Sequence, residues 1–236
     1  MKNKELFPIP TYSTISDTVY NWIREAIANS HFKPGEWITQ EAITEQLNVS
    51  RTPVRDAFKR LQSEDLLIIN PHKGAMVVYL SLEKLLEIYE IRALLEGAAA
   101  LHASKNITEK NIKELEKINQ KMASSRNNTQ QFTNCNRDFH HTLYSISKRD
   151  YLVNCIFSFW NIIEPYRLKY FKHEGKTDEA IQEHIKIIEA LKLREPERVR
   201  QVIIEHLHDV TTTLSKDGEK LLCITEPQKR SKRRSG

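Results

Sequence analysis

Cysteine, glycine and long apolar stretches are all scarce in this chain. Only Cys135, Cys155 and Cys223 occur among 236 residues, and no two form a CxxC pair. So odd and sparse a set builds no disulfide framework and reads as reduced thiols in a cytoplasmic protein. Six glycines beside 28% charged residues argue against a β-sandwich and for helices. No apolar run approaches the 18 or so residues of a membrane span. The opening "MKNKELFPIP" has no apolar core of a secretory signal. What remains is a chain long enough for one or two domains, with a net charge of +5 that leans towards an anionic partner.

Hydrophobic periodicity divides the chain in two. Val19, Ile23, Ala26 and Ile27, with Trp22, form a helical stripe within Ile15 to Ser30. Pro34-Gly35 marks a turn, and Thr39 is placed to cap a short helix from Gln40 to Leu47. Ser50 is placed to cap the next helix, which follows after a tight connection: a helix-turn-helix. The β-rich runs Leu66–Ile69 and Met76–Leu80, joined through Asn70 to Gly74, predict a hairpin wing with His72 and Lys73 at its tip. From Ser81 every signal is helical. Ser81, Thr108 and Thr177 are placed as caps, Pro165 bends or interrupts a helix from Asp150, and Pro196 opens a last helix to Leu214 or Leu222. The expected fold is mainly α: a winged helix-turn-helix at 12–79, then an all-α bundle of six or so helices at 81–222. Residues 1–11 are expected to be flexible and 223–236 a disordered basic tail. With five Lys or Arg in its last eight residues, that tail is either a solvated end or an arm touching DNA.

The segment "LNVSRTPVRDAFKRLQ" carries the first functional signal. On a helical wheel Val54, Ala57, Phe58 and Leu61 fall within roughly 100° of arc. Arg51, Arg55 and Gln62 lie within about 40° of one another beside it, with Thr52 and Lys59 further round. One face therefore suits a core. The other offers arginines from the N-terminal end that a recognition helix inserts into the major groove. Arginine bonds bidentately to guanine O6 and N7, and Ser50, Thr52 and the free N–H groups of the helix start suit phosphate. A solvated amphipathic helix has the same pattern. The helices before it and the wing after it favour DNA.

"GEWITQEAITEQLNVSRTPVRDAFKRLQSEDLLIINPHKGAMV" resembles the DNA-binding domain of GntR-type bacterial transcription regulators, through Pro34-Gly35, the "VSRTPVRDAFKRLQSEDLL" segment and Lys73-Gly74. The resemblance implies that Arg51 and Arg55 read bases, that Thr52 touches phosphate, and that the wing at Lys73 and Gly74 meets the minor groove. Two positions depart from the family pattern. Asp65 stands where glycine is usual, and Glu41 stands where some relatives carry a DNA-contacting arginine.

The second half places three histidines on apolar stripes of three helices. His140 shares a face with Phe132, Asn136, Leu143 and Ser147. His184 lies with Ile181, Ile188 and Leu191, and His206 with Val199, Val202, Ile203 and Val210. Each by itself reads as a core histidine. Together they read as imidazole ligands for Zn, Ni or Mn inside a bundle. "NRDFHHTLYSIS" and "EHIKIIEALKLREPERVRQVIIEHL" resemble the FCD ligand-binding domain of the FadR branch of these regulators, in which His206 follows His184 by 22 residues. The resemblance implies a divalent metal held by Asn136, His140, His184 and His206, with a small carboxylate metabolite completing its shell. Asn136 stands where aspartate is common. Arg92 is either half of a structural pair with Glu96 or a clamp for that carboxylate. Arg167, after Pro165, is a second candidate for the clamp.

The expected function is a ligand-controlled transcription regulator, a repressor released by its effector. It would act as a homodimer on a palindromic operator in double-stranded DNA. A metal-dependent hydrolase built on the three histidines is the enzymatic alternative. Against it, the sequence shows no inward acid beside them to serve as a general base. An architectural DNA binder with no effector is the third reading. It leaves the inward histidines without a role.

Overall fold

The structure, a computed structural model, describes residues 14–222. The expected flexible start and the basic tail lie outside the described residues. α1 (Ile15–Ala28) opens with a capping box between Thr14 and Asp17 and buries Val19, Tyr20, Ile23 and Ile27. Thr39 caps α2 (Gln40–Leu47), which ends at Asn48 in the left-handed conformation. α3 (Arg51–Ser63) buries Pro53, Val54, Ala57, Phe58 and Leu61. Val54, Phe58 and Leu61 are completely buried, each contributing about 1.5–3 kcal/mol relative to exposure. Ser50 precedes α3 but makes no side-chain cap bond, contrary to expectation.

The wing is a three-stranded antiparallel sheet of order β1-β3-β2, with β1 (Trp37–Ile38), β2 (Leu67–Asn70) and β3 (Gly74–Val77). The two-residue β1 escaped the sequence reading. It pairs Trp37 with Met76 and Ile38 with Ala75, and two residues are too few to show alternation. β3 starts and ends earlier than expected, because the chain beyond Val77 leaves the sheet and the Leu80 N–H donates to the Tyr166 hydroxyl at 2.7 Å. Gly74 is dictated by space. Its φ is +95°, and a Cβ there would stand 2.4 Å from the Ile38 carbonyl oxygen. Asp65 joins α3 to β2 with φ 55°, in the left-handed region. A glycine at that position relieves the steric cost of a side chain. Asp65→Gly is therefore expected to stabilise the winged unit by about 1 kcal/mol. Urea unfolding followed at α1 and α3 checks this, and a loss of stability would contradict it.

Six helices follow among the described residues: α4 (Leu82–Asn106), α5 (Glu109–Ser124), α6 (Thr129–Ser145), α7 (Asp150–Tyr170), α8 (Lys176–Leu193) and α9 (Pro196–Leu222). Ser81 and Thr108 cap as expected. Thr177 does not cap: α8 starts at Lys176, with Gly175 at φ 81° as the cap residue two positions earlier. Pro165 does not interrupt α7. It removes one backbone rung, but Ile163, Glu164, Tyr166 and Arg167 around it are all buried, so packing keeps the helix whole. α9 runs on to Leu222, with Gly218 pressed against Leu82 of α4 and both Leu214 and Leu222 buried.

Two hydrophobic cores result. One gathers side chains between Val19 and Val77, the other between Leu80 and Leu222. Ile162 on α7 packs against both.

Candidate nucleic-acid face and candidate metal and ligand site

On α3 the structure exposes Ser50, Arg51, Thr52, Arg55 and Lys59, on the side away from the core. Arg51 pairs with Glu41 of α2 at 3.3 Å, and Arg55 lies 4.0 Å from Asp56. Both pairs are exposed and therefore weak. Arg60 differs. It lies over the Tyr20 ring at 3.6 Å and reaches Asp17 at 3.2 Å and Glu64 at 3.5 Å, tying α1 to α3. At the wing tip Asn70 accepts from the His72 N–H at 3.0 Å, which shapes the turn. Lys73 is exposed there, with its ammonium 5.6 Å from the centroid of Trp37. Gly74 holds the wing against β1 and is half-buried.

In the helical unit α6, α8 and α9 bring His140, His184 and His206 together, all buried, with one ligand atom of each within 4.8 Å of the others. The Nε2 atoms of His140 and His184 stand 3.2 Å apart. Two imidazoles on one ion at 2.0–2.1 Å and a tetrahedral angle place their nitrogens about 3.3 Å apart. Two of the outward nitrogens are fixed by partners, while His184 Nδ1 is buried without one. His140 Nδ1 lies 3.0 Å from the Tyr144 hydroxyl, which donates to Glu96 at 2.6 Å. A hydroxyl has one hydrogen, so His140 Nδ1 must donate, leaving the Nε2 lone pair facing His184. His206 Nδ1 lies 2.6 Å from Glu183 Oε2, which turns its Nε2 lone pair the same way. An acceptor behind an imidazole, as at His140 and His206, is the arrangement that orients metal-binding histidines.

Protonation agrees. Burial, then the neighbouring His184 and His206 and the arginines Arg167 and Arg92, hold His140 well below its usual pKa. Burial, His206 and Arg167 do the same for His184. Neutral imidazoles are the form a metal needs. The donor set therefore fits a divalent first-row ion. Asn136 lines the same cavity, but its Oδ1 accepts from Arg167 Nη2 at 2.7 Å and is committed there.

That cavity has a volume of about 390 Å³, within the range of small-molecule sites. Arg92, Arg167, Asn136, His140 and His206 line it, with Trp160 and Tyr89 as apolar wall and Lys176, Glu183 and Thr213 among its polar groups. Arg92 is 2% exposed and Arg167 5% exposed. Arg92 Nε donates to Glu96 at 2.7 Å, while its Nη1 is buried with no partner. Arg167 lies 4.0 Å over the Trp160 ring and donates to Glu164 at 2.9 Å. Both readings of Arg92 thus have a basis in one side chain: a structural pair through Nε and an open donor at Nη1.

The sequence reading saw no acid beside the histidines, and this is corrected. Glu183 backs His206, and Glu96 backs His140 through Tyr144. Glu183 is hidden on a wheel because it sits about 100° round from His184 and serves a histidine on another helix. Glu96 did carry a signal: it is a lone acid in a run of alanine and leucine, four residues after Arg92.

An exposed basic helix beside a wing, joined to a helical bundle with a polar cavity, is the layout of a DNA-binding protein with a second, helical unit. Comparison with known proteins makes this particular. Residues 15–77 match the family described as "Bacterial regulatory proteins, gntR family", and residues 87–209 match the "FCD domain". The chain belongs to the GntR family of DNA-binding transcription regulators, in the branch that carries an FCD domain. It is 26% identical to the HTH-type transcriptional repressor RspR of Escherichia coli strain K12, over 85% of this chain and 89% of that one. It is 28% identical to the regulator YdhC of Bacillus subtilis strain 168, over 80% and 87% of the two chains. The solved structure of Escherichia coli McbR/YncC superposes with a TM-score of 0.73 at 25% identity, over 86% of this chain and 99% of that one. Among the described residues no helix is long and apolar enough to cross a membrane.

Proposed function

We propose that this chain is a cytoplasmic repressor whose affinity for its operator is set by a small carboxylate metabolite bound beside a metal ion in the helical unit. Residues 12–79 read DNA, with Arg51 and Arg55 on base edges in the major groove. Ser50, Thr52 and Lys59 hold phosphates, and the wing with Lys73 and Gly74 lies along the minor groove. Residues 81–222 hold the effector and pair two copies, so that two recognition helices meet a palindromic operator. His140, His184 and His206 would hold Zn, Ni or Mn, with Asn136 alongside. The ion would supply positive charge and open coordination positions for a carboxylate. Arg92 and Arg167 orient that carboxylate through charge-assisted hydrogen bonds.

One observation carries this reading. Two buried guanidiniums and the imidazoles of His140 and His206 face a single cavity, in a chain whose other unit exposes arginines at the start of a recognition helix. The naming of RspR as a repressor supports the negative sign. Binding is favoured over hydrolysis because the acids beside the histidines are already engaged, Glu183 Oε2 with His206 and Glu96 with three donors.

The test is binding to the DNA upstream of the chain's own gene, with wild type beside Arg55→Ala. The variant is expected to lose about 1–3 kcal/mol, or roughly 5- to 150-fold, on that sequence and much less on unrelated DNA. Equal losses on both sequences would reduce Arg55 to a phosphate contact. No loss on either would remove α3 from the interface.

A further inference from the structure

We propose that Glu164 is a shared carboxylate through which charge in the effector cavity is felt at the seam between the helical and winged units. The inference rests on reading that cavity as the seat of an anion. Glu164, on α7, is 6% exposed, and its Oε2 accepts from two arginines at once. Arg167 Nη1 lies 2.9 Å away on the cavity side, and Arg137 Nη1 lies 3.4 Å away on the seam side. Arg137 is anchored by its other nitrogen to Asn161 Oδ1 at 2.7 Å. A third guanidinium faces the same place from the winged unit: Arg24 of α1 lines a small cavity of about 120 Å³ together with Arg137, Asn161 and Glu164. Arg24 Nε is buried there without a hydrogen-bond partner.

Two cations thus share one buried carboxylate, and a third lines the cavity beside it. Burial works against the Arg137 charge, Glu164 offsets this, and Arg24 adds to the penalty. The neighbouring contacts of α7 are seam contacts as well. Ile162 packs against both hydrophobic cores, and the Tyr166 hydroxyl holds the Leu80 N–H of the connection between the units. Pro165, between Glu164 and Tyr166, has no N–H to restrain this turn. Asn136 and Arg137, consecutive on α6, face the cavity and the seam respectively.

The consequence follows from competition for one oxygen. An anion that engages Arg167 offsets its charge and weakens its hold on Glu164. The carboxylate then belongs to Arg137 and Arg24, and α1 is held more firmly on α7. With the cavity empty of anion, Glu164 is divided and the winged unit is held less tightly. This is a two-state element that both sites bias, as coupling between sites requires.

The experiment needs no ligand. Hydrogen exchange of the α1 amides is compared in the full-length chain, in one buffer, between wild type and variants. Arg167→Gln removes the competing charge as a bound anion would, and is expected to slow α1 exchange by about 2- to 30-fold, the range such side-chain networks carry. Arg167→Lys keeps the charge and should behave as wild type. Glu164→Gln should quicken α1 exchange, and in that background Arg167→Gln should have no further effect. Arg137→Gln, which alters the seam end alone, should match Glu164→Gln. An unchanged α1 in Arg167→Gln, or effects of Glu164 and Arg167 that simply add, would overturn the proposal. An unchanged α1 in Arg137→Gln would overturn it even if Arg167→Gln failed to fold. Because no metal or effector enters the comparison, its failure is separable from failure of the cavity to bind an anion.

Discussion

Glu96→Ala is expected to destabilise the helical unit by about 3–5 kcal/mol, the cost of stripping one partner from a buried ion pair. Glu96 is 0% exposed. It accepts from Arg92 Nε at 2.7 Å, from Trp160 Nε1 at 2.8 Å and from the Tyr144 hydroxyl at 2.6 Å. Burial alone would discourage the Arg92 charge, but Glu96 beside it, together with Tyr89 and Tyr144, more than offsets this and raises the guanidinium above its usual pKa. Without the carboxylate, a buried cation and two buried donors lose their acceptor together. Urea unfolding followed by the helical circular dichroism signal measures the loss as a shift in midpoint at unchanged slope. Replacing the ion pair by apolar residues, as in Arg92→Met with Glu96→Leu, should recover the part of the loss due to the unpaired cation, while Trp160 and Tyr144 stay without their acceptor. A loss below about 1 kcal/mol in the single variant would mean that the acceptor is dispensable and that water reaches these donors.

Chelator-free protein is expected to carry about one divalent ion per chain, and His206→Ala is expected to lose it. The more discriminating variant is Glu183→Gln. It leaves all three imidazoles in place but withdraws the carboxylate that orients His206 and enriches its Nε2 lone pair. Metal affinity should fall about 10- to 100-fold. Tyr144→Phe should act in the same direction through His140, since it removes the acceptor behind Nδ1. Elemental mass spectrometry gives the stoichiometry, and competition with a chromophoric chelator gives the affinity. Protein that takes up no Zn, Ni or Mn in either form would end the metal reading. The three imidazoles would then serve as hydrogen-bonding groups in a core. Full affinity in Glu183→Gln would show that the carboxylate supports only the fold.

Much of this molecule was legible because it rests on short-range order. The two faces of α3, the caps at Thr39, Ser81 and Thr108, and the inward positions of His140, His184 and His206 all follow from periodicities of a few residues. So does the wing, apart from β1, whose two residues exist as a strand only because β3 lies beside them. Pro165 misled for the converse reason: a local rule against proline in helices gave way to burial on both sides of it.

The sequence by itself determined the two-part plan, the recognition face and the three histidines, since each is written in spacing along one helix or turn. Only the tertiary structure decided which acids stand behind those histidines and which arginines share a carboxylate. Glu96 meets Tyr144 and Trp160 across 48 and 64 residues, Glu183 meets His206 across 23, and Glu164 meets Arg137 across 27. Such pairs form where helices α4, α6, α7, α8 and α9 close around one cavity. A wheel drawn for any one helix shows which way a side chain points but not what it will find there.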